Sequence, residues 1–327
     1  MPDILFIKTS SLGDVIHHMP AVADARRRFP DARIAWVVEE DFAPLVRLHP
    51  AVNEVIPVAT RHWKRQLRDV FLNPLFEPAG APWPEISAAR KLLRARTYDF
   101  VIDTQGLLKS ALIARSARGP RHGYDSKSIK EPLASFFYDV RHAVSRALHA
   151  IERNRRLTGL ALGYAPESSF DYGLDRAALK APAARRYAVL VHASARAEKR
   201  WPEARWIETA RALARRNLEL MLPWGTDEER AVAVRIADAV PHARVAERAP
   251  LDQIARLVAG AALVVGVDTG LLHLAAALGV PLVAIFAASD PGLTGPIGPG
   301  PIAIAGRAGA PPAVAELIAA IDRVTRA

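Results

Sequence analysis

A single carboxylate, Asp14, stands at the end of a polar loop that runs from Lys8 to Gly13. The loop follows the apolar run Ile4–Ile7 and precedes an amphipathic pattern, so it joins a predicted strand to a predicted helix. Free backbone N–H groups at a helix start favour the binding of anions such as phosphate. This helix start, however, carries the acid Asp14, and the loop lacks the glycine spacing of a phosphate-binding P-loop. The arrangement suggests a base beside a reacting sugar or phosphate. Asp is also a preferred helix cap, and both interpretations stay open.

A second polar segment, His192–Pro202, follows the apolar run Ala188–His192. Pro202 suits the first position of the next helix. Lys199 would then lie just before that helix start, where its charge adds to the positive end of the helix dipole. This pattern indicates a phosphate contact, with an ordinary surface lysine as the alternative.

A third polar segment, Asp268–His273, follows the apolar run Leu263–Val267. Gly270 would let a ligand approach the backbone, and the Thr269 hydroxyl with the following N–H groups could bind an oxyanion. Structural roles are the alternative: Asp268 could cap the helix, and His273 could be a core histidine.

A fourth junction, Pro223–Arg230, places acids at a predicted helix start. A carboxylate there could hold ribose hydroxyls, but a helix N-terminus attracts acids for electrostatic reasons alone. No metal site is expected, because His17 and His18 are adjacent and would point in different directions on a helix.

These polar segments lie at the ends of strand-like runs that alternate with helical patterns. The predicted strands are Ile4–Ile7, Arg33–Val38, Val55–Val58, Phe100–Asp103, Ala188–His192, Glu219–Leu222, Leu263–Val267 and Leu282–Phe286. Nearly continuous apolar strands favour parallel sheets with helices on both faces. The predicted fold class is α/β with two doubly wound domains, and ligands should bind beyond the carboxyl ends of the strands.

The segment Gly163–Arg186 lacks apolar periodicity and is the predicted linker. We expect an N-terminal acceptor-binding domain at 1–163, a linker at 164–186 and a C-terminal donor-binding domain at 187–310. A final amphipathic helix within 311–327 is expected to pack back on the N-terminal domain. The binding site should lie in the cleft between the domains.

Charge is the main compositional signal: 44 Lys+Arg against 34 Asp+Glu give a formal net charge of +10. The basic clusters all lie in the first half: Arg61, Lys64, Arg65 and Arg68; Arg115, Arg118, Arg121, Lys127 and Lys130; Arg153, Arg155 and Arg156. An anionic partner is implied, either nucleic acid, anionic lipid or a phosphorylated substrate. A solvated basic face is the alternative for any one cluster.

Two further features bear on location. The chain has no cysteine, which excludes disulfides, thiolate metal sites and a cysteine nucleophile and fits a cytoplasmic protein. We expect no signal peptide, because charges interrupt the first apolar run. The uncharged stretch Thr269–Ala288 contains Gly and Pro, so it predicts a short helix and a strand and not a membrane span.

Seven motifs in order along the chain resemble those of the ADP-heptose:lipopolysaccharide heptosyltransferases, and in particular their heptosyltransferase I branch. They are Lys8–Asp14, Trp36–Glu40, Asp103–Leu107, Glu131–Tyr138, His192–Pro202, Pro223–Gly225 and Val267–Leu274. The resemblance implies a GT-B glycosyltransferase with two Rossmann-like domains whose parallel sheets face a central cleft. The implied reaction is metal-independent, uses no cofactor, and moves L-glycero-D-manno-heptose from ADP-heptose to the inner Kdo of Kdo-lipid A with inversion, releasing ADP.

Site residues follow from the same resemblance, with Asp14 as the catalytic base. The implied donor-binding residues are Ser194, Lys199, Glu228, Glu229, Asp268, Thr269, Gly270 and His273. The implied acceptor-binding residues are Ser11, Gly13, Arg61, Lys64, Arg65, Asp103, Gln105 and Arg121. The loop after Gly225 is shorter than in some family members, so the ribose contact is not assigned to a single glutamate.

Two alternative functions stay open at this point. One is a heptosyltransferase of the same family that acts later in core assembly. The other is a non-catalytic nucleotide- or nucleic-acid-binding protein, which the charge favours and the lack of a recognition-helix or RNA-binding signature disfavours. The expected partners are ADP-heptose, Kdo-lipid A and the anionic cytoplasmic leaflet of the inner membrane, with peripheral attachment and without nucleic acid.

Overall fold

The structure is a computed structural model that describes residues 1–63, 65–66, 82–181, 185–288 and 290–326. The chain forms two compact units, Met1–Gly173 and Leu174–Ala327. Their boundary falls inside the segment 164–186 that was expected to be a linker. Two carbonyls of that segment, those of Glu167 and Ser169, nevertheless accept hydrogen bonds from Arg155 in the first unit.

In its described residues the first unit holds a six-stranded sheet with the order β3-β2-β1-β4-β5-β6, and all of its neighbouring strands are parallel. The strands are β1 (Asp3–Ile7), β2 (Arg33–Glu39), β3 (Glu54–Val58), β4 (Phe100–Asp103), β5 (Arg121–Tyr124) and β6 (Val140–His142). Ile7 pairs with Val37 and with Asp103, so the carboxyl ends of β1, β2 and β4 meet at one edge. Loops that follow these strands are therefore brought together.

Helices cover the first sheet. They are α1 (Leu12–Arg28), α2 (Ala43–Val46), α3 (Trp83–Leu93), α4 (Leu108–Ser116) and α5 (Ala150–Leu162), with 3-10 turns at Glu40–Phe42 and Pro132–Phe137. Residues 60–63 are also helical. Helix α1 packs on α5, where buried Arg155 donates to buried Asp24 at 2.6 Å. This arginine therefore fixes the fold, although the sequence had grouped it with a basic surface cluster.

The second unit repeats the architecture in its described residues, with the sheet order β12-β11-β10-β7-β8-β9 and all neighbours parallel. The strands are β7 (Tyr187–Val191), β8 (Glu219–Leu222), β9 (Ala243–Val245), β10 (Leu263–Val267), β11 (Leu282–Ile285) and β12 (Ile302–Ala305). Numbered within its own unit, each sheet has the strand order 3-2-1-4-5-6 of the Rossmann fold. The prediction of two doubly wound α/β domains is confirmed.

Helices of the second unit are α6 (Arg176–Leu179), α7 (Glu203–Ala214), α8 (Asp227–Asp238), α9 (Leu251–Gly260), α10 (Gly270–Ala277), α11 (Pro291–Thr294) and α12 (Val314–Arg326), with a 3-10 turn at Ala197–Lys199. Helix α10 and strand β11 lie where the sequence predicted a short helix and a strand in place of a membrane span. No helix in the described ranges combines the length and the hydropathy needed to cross a bilayer.

The C-terminal helix corrects one expectation. The apolar stripe of α12, which includes Leu317, Ile321 and Val324, lies in the hydrophobic core of the second unit together with Trp206 of α7. The stripe is thus buried against β11, β12 and α7 of its own unit, in place of the expected packing on the N-terminal domain. An amphipathic pattern shows that one face is buried, and it does not identify the surface that covers it.

Candidate active site

In the first unit, a small cavity opens at the point where the strand order reverses, between the loops that follow β1 and β4. Its volume is about 110 Å³. The lining residues are Lys8, Asp14, Thr104, Gln105, Tyr124, Lys130, Ala150, Arg153 and Asn154. A reversal point of this kind is where doubly wound sheets bind their ligands.

Asp14 lies in the first turn of α1, which begins at Leu12. Its Oδ2 accepts hydrogen bonds from the Ser11 N–H at 2.8 Å and from the Ser11 hydroxyl at 3.0 Å. The carboxylate thus caps the helix in a capping box. Among the described residues Oδ1 has no hydrogen-bond partner, and the partly exposed side chain lines the cavity. The cap and the cavity-facing acid are therefore the same group, and the cap fixes its orientation.

Lys8 brings a buried ammonium group to the same cavity. The side chain is only 6% exposed, and its Nζ donates to the Thr104 carbonyl at 2.9 Å and to Asn154 Oδ1 at 3.3 Å. Burial lowers the pKa of Lys8, while the negative charges of Asp14 and Asp103 act in the opposite direction. The cavity is therefore lined by both the Asp14 carboxylate and the Lys8 ammonium group, and two hydrogen-bond acceptors hold the ammonium group in place.

Two more cations line the cavity. Arg153, on α5, lies over the Tyr124 ring at 4.8 Å and donates to the Ser128 carbonyl at 2.7 Å. Lys130, in the loop after β5, is exposed to solvent. With Lys8, these side chains outnumber the one lining acid, Asp14, so the cavity suits a ligand that carries negative charge.

The loop after β4 is held by Asp103 and Gln105. Asp103 is fully buried; its Oδ1 accepts from the Gln105 N–H at 2.8 Å and from the Gly106 N–H at 3.2 Å, and its Oδ2 accepts from the Tyr138 hydroxyl at 2.7 Å. Burial raises the pKa of Asp103, and these hydrogen bonds oppose that rise. Gln105 Oε1 in turn accepts from the N–H groups of Thr9 and Ser10, both at 3.1 Å. The two loops at the cavity are thereby fastened together.

The second unit has a corresponding site at its own reversal point, between the loops after β7 and β10. Lys199 Nζ lies 2.5 Å from Asp268 Oδ2, and the two side chains are 16% and 9% exposed. Thr269 is the N-cap of α10, and its side chain makes no capping hydrogen bond. Thr269 is therefore not used as a side-chain cap, and a helix N-terminus is a place where an oxyanion can bind.

The loop after β7 carries the remaining polar groups of this site. His192 Nε2 lies 3.0 Å from the Glu229 carbonyl, and burial lowers the pKa of His192. Ser194 is buried, and its carbonyl accepts from Arg200 Nε at 3.1 Å. These contacts fix the loop that leads to Lys199. His273 is buried one turn into α10.

The two candidate ribose carboxylates differ in their surroundings. Glu229 Oε2 accepts from the N–H groups of Gly225 at 2.7 Å and Thr226 at 3.2 Å, while the Thr226 hydroxyl accepts from the Glu229 N–H at 3.3 Å. This is a complete capping box for α8. Glu228 is exposed. The geometry thus ties Glu229 to its own helix and leaves Glu228 facing solvent.

Comparison with known proteins shows the family to which the chain belongs. The model of glycosyltransferase family 9 (heptosyltransferase) matches residues 86–316. Lipopolysaccharide heptosyltransferase 1 of Pseudomonas aeruginosa is 45% identical over 90% of this chain and 81% of its own length. The protein of the same name from Escherichia coli K12 is 42% identical over 90% of this chain and 91% of its own length. The chain belongs to glycosyltransferase family 9.

Solved structures agree with this assignment. The E. coli heptosyltransferase WaaC with ADP superposes with a TM-score of 0.84 at 40% identity, covering 93% of each chain. WaaC with ADP-2-deoxy-2-fluoro heptose also gives 0.84, at 38% identity over 98% of each chain. The chain is therefore a glycosyltransferase of the heptosyltransferase family with the GT-B fold of these structures.

The cavity gathers only some of the acceptor residues that the family resemblance implied. Ser11 and Gln105 lie on the two loops that border it, and Gly13 lies in the first turn of α1 beside Asp14. Asp103 lies beneath the loop and has no exposed surface, so it positions Gln105 and does not itself reach an acceptor. Arg61 lies over the Phe42 ring at 5.5 Å. Lys64 is outside the described residues, and Arg65 Nη2 is 3.4 Å from His62 Nδ1.

Arg121 is not brought to the cavity. It is the first residue of β5, at the amino end of a parallel strand, and it forms a bidentate pair with Asp139 at 2.6 and 2.8 Å. The cavity lies at the carboxyl ends of the strands, where Tyr124 ends β5. In the sequence, Arg121 was only one member of a basic cluster, and the cluster did not indicate that Arg121 would lie at the amino end of β5.

All three basic residues that line the cavity were absent from the implied acceptor set. Lys8 belongs to the opening motif, but its side chain was not considered as a site group. Lys130 and Arg153 appeared only as members of basic clusters. Their common signal was a basic side chain close to the end of a strand or on the helix that returns to it.

Within the described ranges, no group of three or more His, Asp and Glu side chains is arranged to hold a metal ion.

Proposed function

We propose that this protein is an inverting heptosyltransferase that moves L-glycero-D-manno-heptose from ADP-heptose to the inner Kdo of Kdo-lipid A. The observation that carries the proposal is the orientation of Asp14, a capped carboxylate aimed into a cavity lined by three cations. Supporting it are the 42–45% identity to proteins named heptosyltransferase 1 and the match to a structure that holds an ADP-heptose analogue.

At the acceptor, Asp14 acts as the general base. It takes the proton of the Kdo hydroxyl as the hydroxyl oxygen attacks the anomeric carbon of heptose, and the bond from that carbon to the diphosphate breaks. ADP leaves with the bonding electrons, and attack from the opposite face inverts the configuration. A positioned base of this kind contributes about 10²–10⁴-fold to the rate. Lys8, Lys130 and Arg153 supply the positive charge that an acceptor with Kdo carboxylates requires.

At the donor, the leaving diphosphate gains negative charge, which Lys199 and the N-terminus of α10 offset. Asp268 holds the Lys199 ammonium group, and Ser194 lies on the loop that leads to it. Glu228, which is exposed, is the better candidate for the ribose hydroxyls, because Glu229 caps α8. On this proposal charge compensation comes from the protein and no metal ion takes part.

The proposed place of work is the cytoplasmic face of the inner membrane, to which the protein binds peripherally. The formal net charge of +10 supports this, because anionic lipids attract basic protein surfaces. No part of the proposal involves nucleic acid.

A competition between acceptors tests the proposal against a later-acting enzyme of the same family. Proteins named heptosyltransferase 3 and heptosyltransferase 2 from E. coli K12 are 23% and 26% identical to this chain, against 42% for heptosyltransferase 1 of the same strain. The purified protein is incubated with ADP-heptose and either Kdo-lipid A or heptosylated core. We expect ADP release with Kdo-lipid A alone. Release with heptosylated core alone would assign the protein to the later step, and no release with either would refute the proposed reaction.

A further inference from the structure

Four large apolar side chains of the first unit face solvent at neighbouring positions. Leu108 and Leu112, on α4, are 38% and 49% exposed; Leu133 and Phe136, on the 3-10 turn Pro132–Phe137, are 66% and 71% exposed. We call these residues the Leu133 surface. The turn belongs to the motif Glu131–Tyr138, whose exposed side chains have no role in the proposed reaction.

The contacts between α4 and the turn make this surface continuous. At one end, the Leu108 N–H donates to Glu131 Oε2 at 2.7 Å. At the other end, the Arg115 guanidinium lies 5.9 Å from the centre of the Phe137 ring. Residues 108, 112 and 115 are spaced to lie along one side of a helix, so this side of α4 runs beside the turn from Glu131 to Phe137.

Exposed cations surround the Leu133 surface. Arg115 lies at one end, Arg141 lies 5.8 Å over the Phe136 ring, and Lys130 precedes the turn. Glu131 is the acid closest in sequence, and its carboxylate is engaged by a backbone N–H group. Apolar side chains among basic ones match a membrane interface, where the former enter the acyl boundary and the latter meet anionic headgroups.

The surface also adjoins the candidate acceptor cavity. Lys130 lines that cavity together with Asp14, and Leu133 is three residues further along the same loop. A bilayer that held the Leu133 surface would therefore lie beside the cavity that the proposed function assigns to the acceptor sugar.

We propose that the Leu133 surface inserts into an anionic lipid bilayer and thereby presents the Asp14 cavity to the headgroup sugar of a lipid-anchored acceptor. The proposal rests on the proposed function for the acceptor and names the surface that makes the membrane contact. The occupant it commits to is anionic lipid, because the surface combines exposed apolar side chains with a cationic border.

The test compares the full-length protein with the double variant Leu133→Ser/Phe136→Ser. The matched control is Leu160→Ser/Leu293→Ser, which removes two leucines that are 51% and 46% exposed elsewhere. Sedimentation with vesicles containing phosphatidylglycerol should show binding of the unchanged protein and the control, and binding weaker by about tenfold or more for the double variant. Pure phosphatidylcholine vesicles should bind all three poorly. Thermal unfolding verifies that the variants fold.

A second readout separates membrane contact from catalysis. Turnover with a water-soluble Kdo acceptor that lacks acyl chains should be the same in all three proteins, whereas turnover with vesicle-borne Kdo-lipid A should fall only in the double variant. Equal binding of the double variant and the unchanged protein to anionic vesicles would overturn the proposal. It would also be overturned if the unchanged protein bound neutral vesicles as strongly as anionic ones, or if it did not bind anionic vesicles at all. Loss of a protein dimer in the double variant would assign the surface to a second copy of the chain and also overturn it. If the unchanged protein turned over neither acceptor, the proposed function would be refuted. Vesicle binding would still decide whether the Leu133 surface contacts the membrane.

Discussion

Lys199 and Asp268 form an ion pair, with Nζ and Oδ2 2.5 Å apart and 16% and 9% of the side chains exposed. The pair joins the loop after β7 to the loop after β10. It holds the ammonium group beside the N-terminus of α10, where the diphosphate is expected. The lysine is thus already oriented before a donor arrives, which is how a site stabilises charge that develops during reaction.

Replacing Lys199 should therefore cost more in rate than in folding. For Lys199→Met we expect kcat with ADP-heptose to fall by roughly 10²–10³-fold, the range typical of a lost oxyanion donor. Steady-state kinetics measure the effect. Arg196→Met is the matched control, since Arg196 is 63% exposed and pairs with Glu198 on the same loop. Equal kinetics for the two variants would remove Lys199 from the donor site.

The two adjacent glutamates of α8 should respond differently to substitution. Glu228→Ala should raise KM for ADP-heptose and leave the melting temperature unchanged, because Glu228 is exposed and proposed to bind ribose. Glu229→Ala should lower the free energy of unfolding by about 1 kcal/mol, because it removes the acid of a capping box. Kinetics and thermal unfolding of both variants check this. A KM effect confined to Glu229→Ala would reverse the assignment.

Buried Arg155 provides a stability prediction for the first unit. Arg155→Met leaves the Asp24 carboxylate, which is 3% exposed, without its buried partner. The expected loss in the free energy of unfolding is about 3–5 kcal/mol. Arg156→Met is the control, because Arg156 is 53% exposed in its pair with Glu152, and exposed pairs contribute at most about 1 kcal/mol. Urea unfolding compares the two, and similar losses would contradict this account of Arg155.

His49 should make the first unit sensitive to acid. Burial lowers the pKa of His49 to about 4. Its Nδ1 accepts from the Ala51 N–H at 3.2 Å, and Nε2 faces the Met19 carbonyl at 3.3 Å, so the neutral ring is the form that fits. The unfolded chain then binds the extra proton at higher pH than the folded chain does. Stability from this group is complete above pH 6.5 and falls as the pH drops toward 4, by about 3 kcal/mol in all.

The measurement is the free energy of unfolding between pH 4 and pH 7 for the unchanged protein and His49→Gln. The variant should show a flatter dependence on pH. His62→Gln, at a less buried histidine, should keep the steeper one. If His49→Gln and the unchanged protein gave parallel curves, His49 would not be the acid-sensitive group.

The strands that the sequence predicted are those with mainly apolar runs. All eight occur, and β4, β8 and β10 have the predicted bounds. Four strands escaped prediction: β5, β6 and β9 contain Arg or His and so lack an apolar run, and β12 lies in a stretch rich in Pro and Gly. These strands form because neighbouring strands supply hydrogen bonds.

The site divides in a similar way. Asp14 and Lys199 could be named as candidates because each lies in a polar segment that follows an apolar run. Arg155 could not be separated from its basic neighbours, since its burial depends on Asp24, 131 residues away in sequence. Asp103 was expected to face an acceptor and is instead buried, because the hydroxyl of Tyr138 and two loop N–H groups satisfy its carboxylate from below. Tertiary partners of this kind leave no local pattern in the sequence.

Single-turnover ADP release by Asp14→Asn with Kdo-lipid A measures whether Asp14 is the base. Asparagine keeps a side-chain oxygen that can accept from the Ser11 N–H, so the cap of α1 is preserved while the carboxylate is lost. We predict a fall in rate of about 10²–10⁴-fold, with the affinity for ADP and the melting temperature unchanged. Turnover within a few-fold of the unchanged protein would show that Asp14 is not the base.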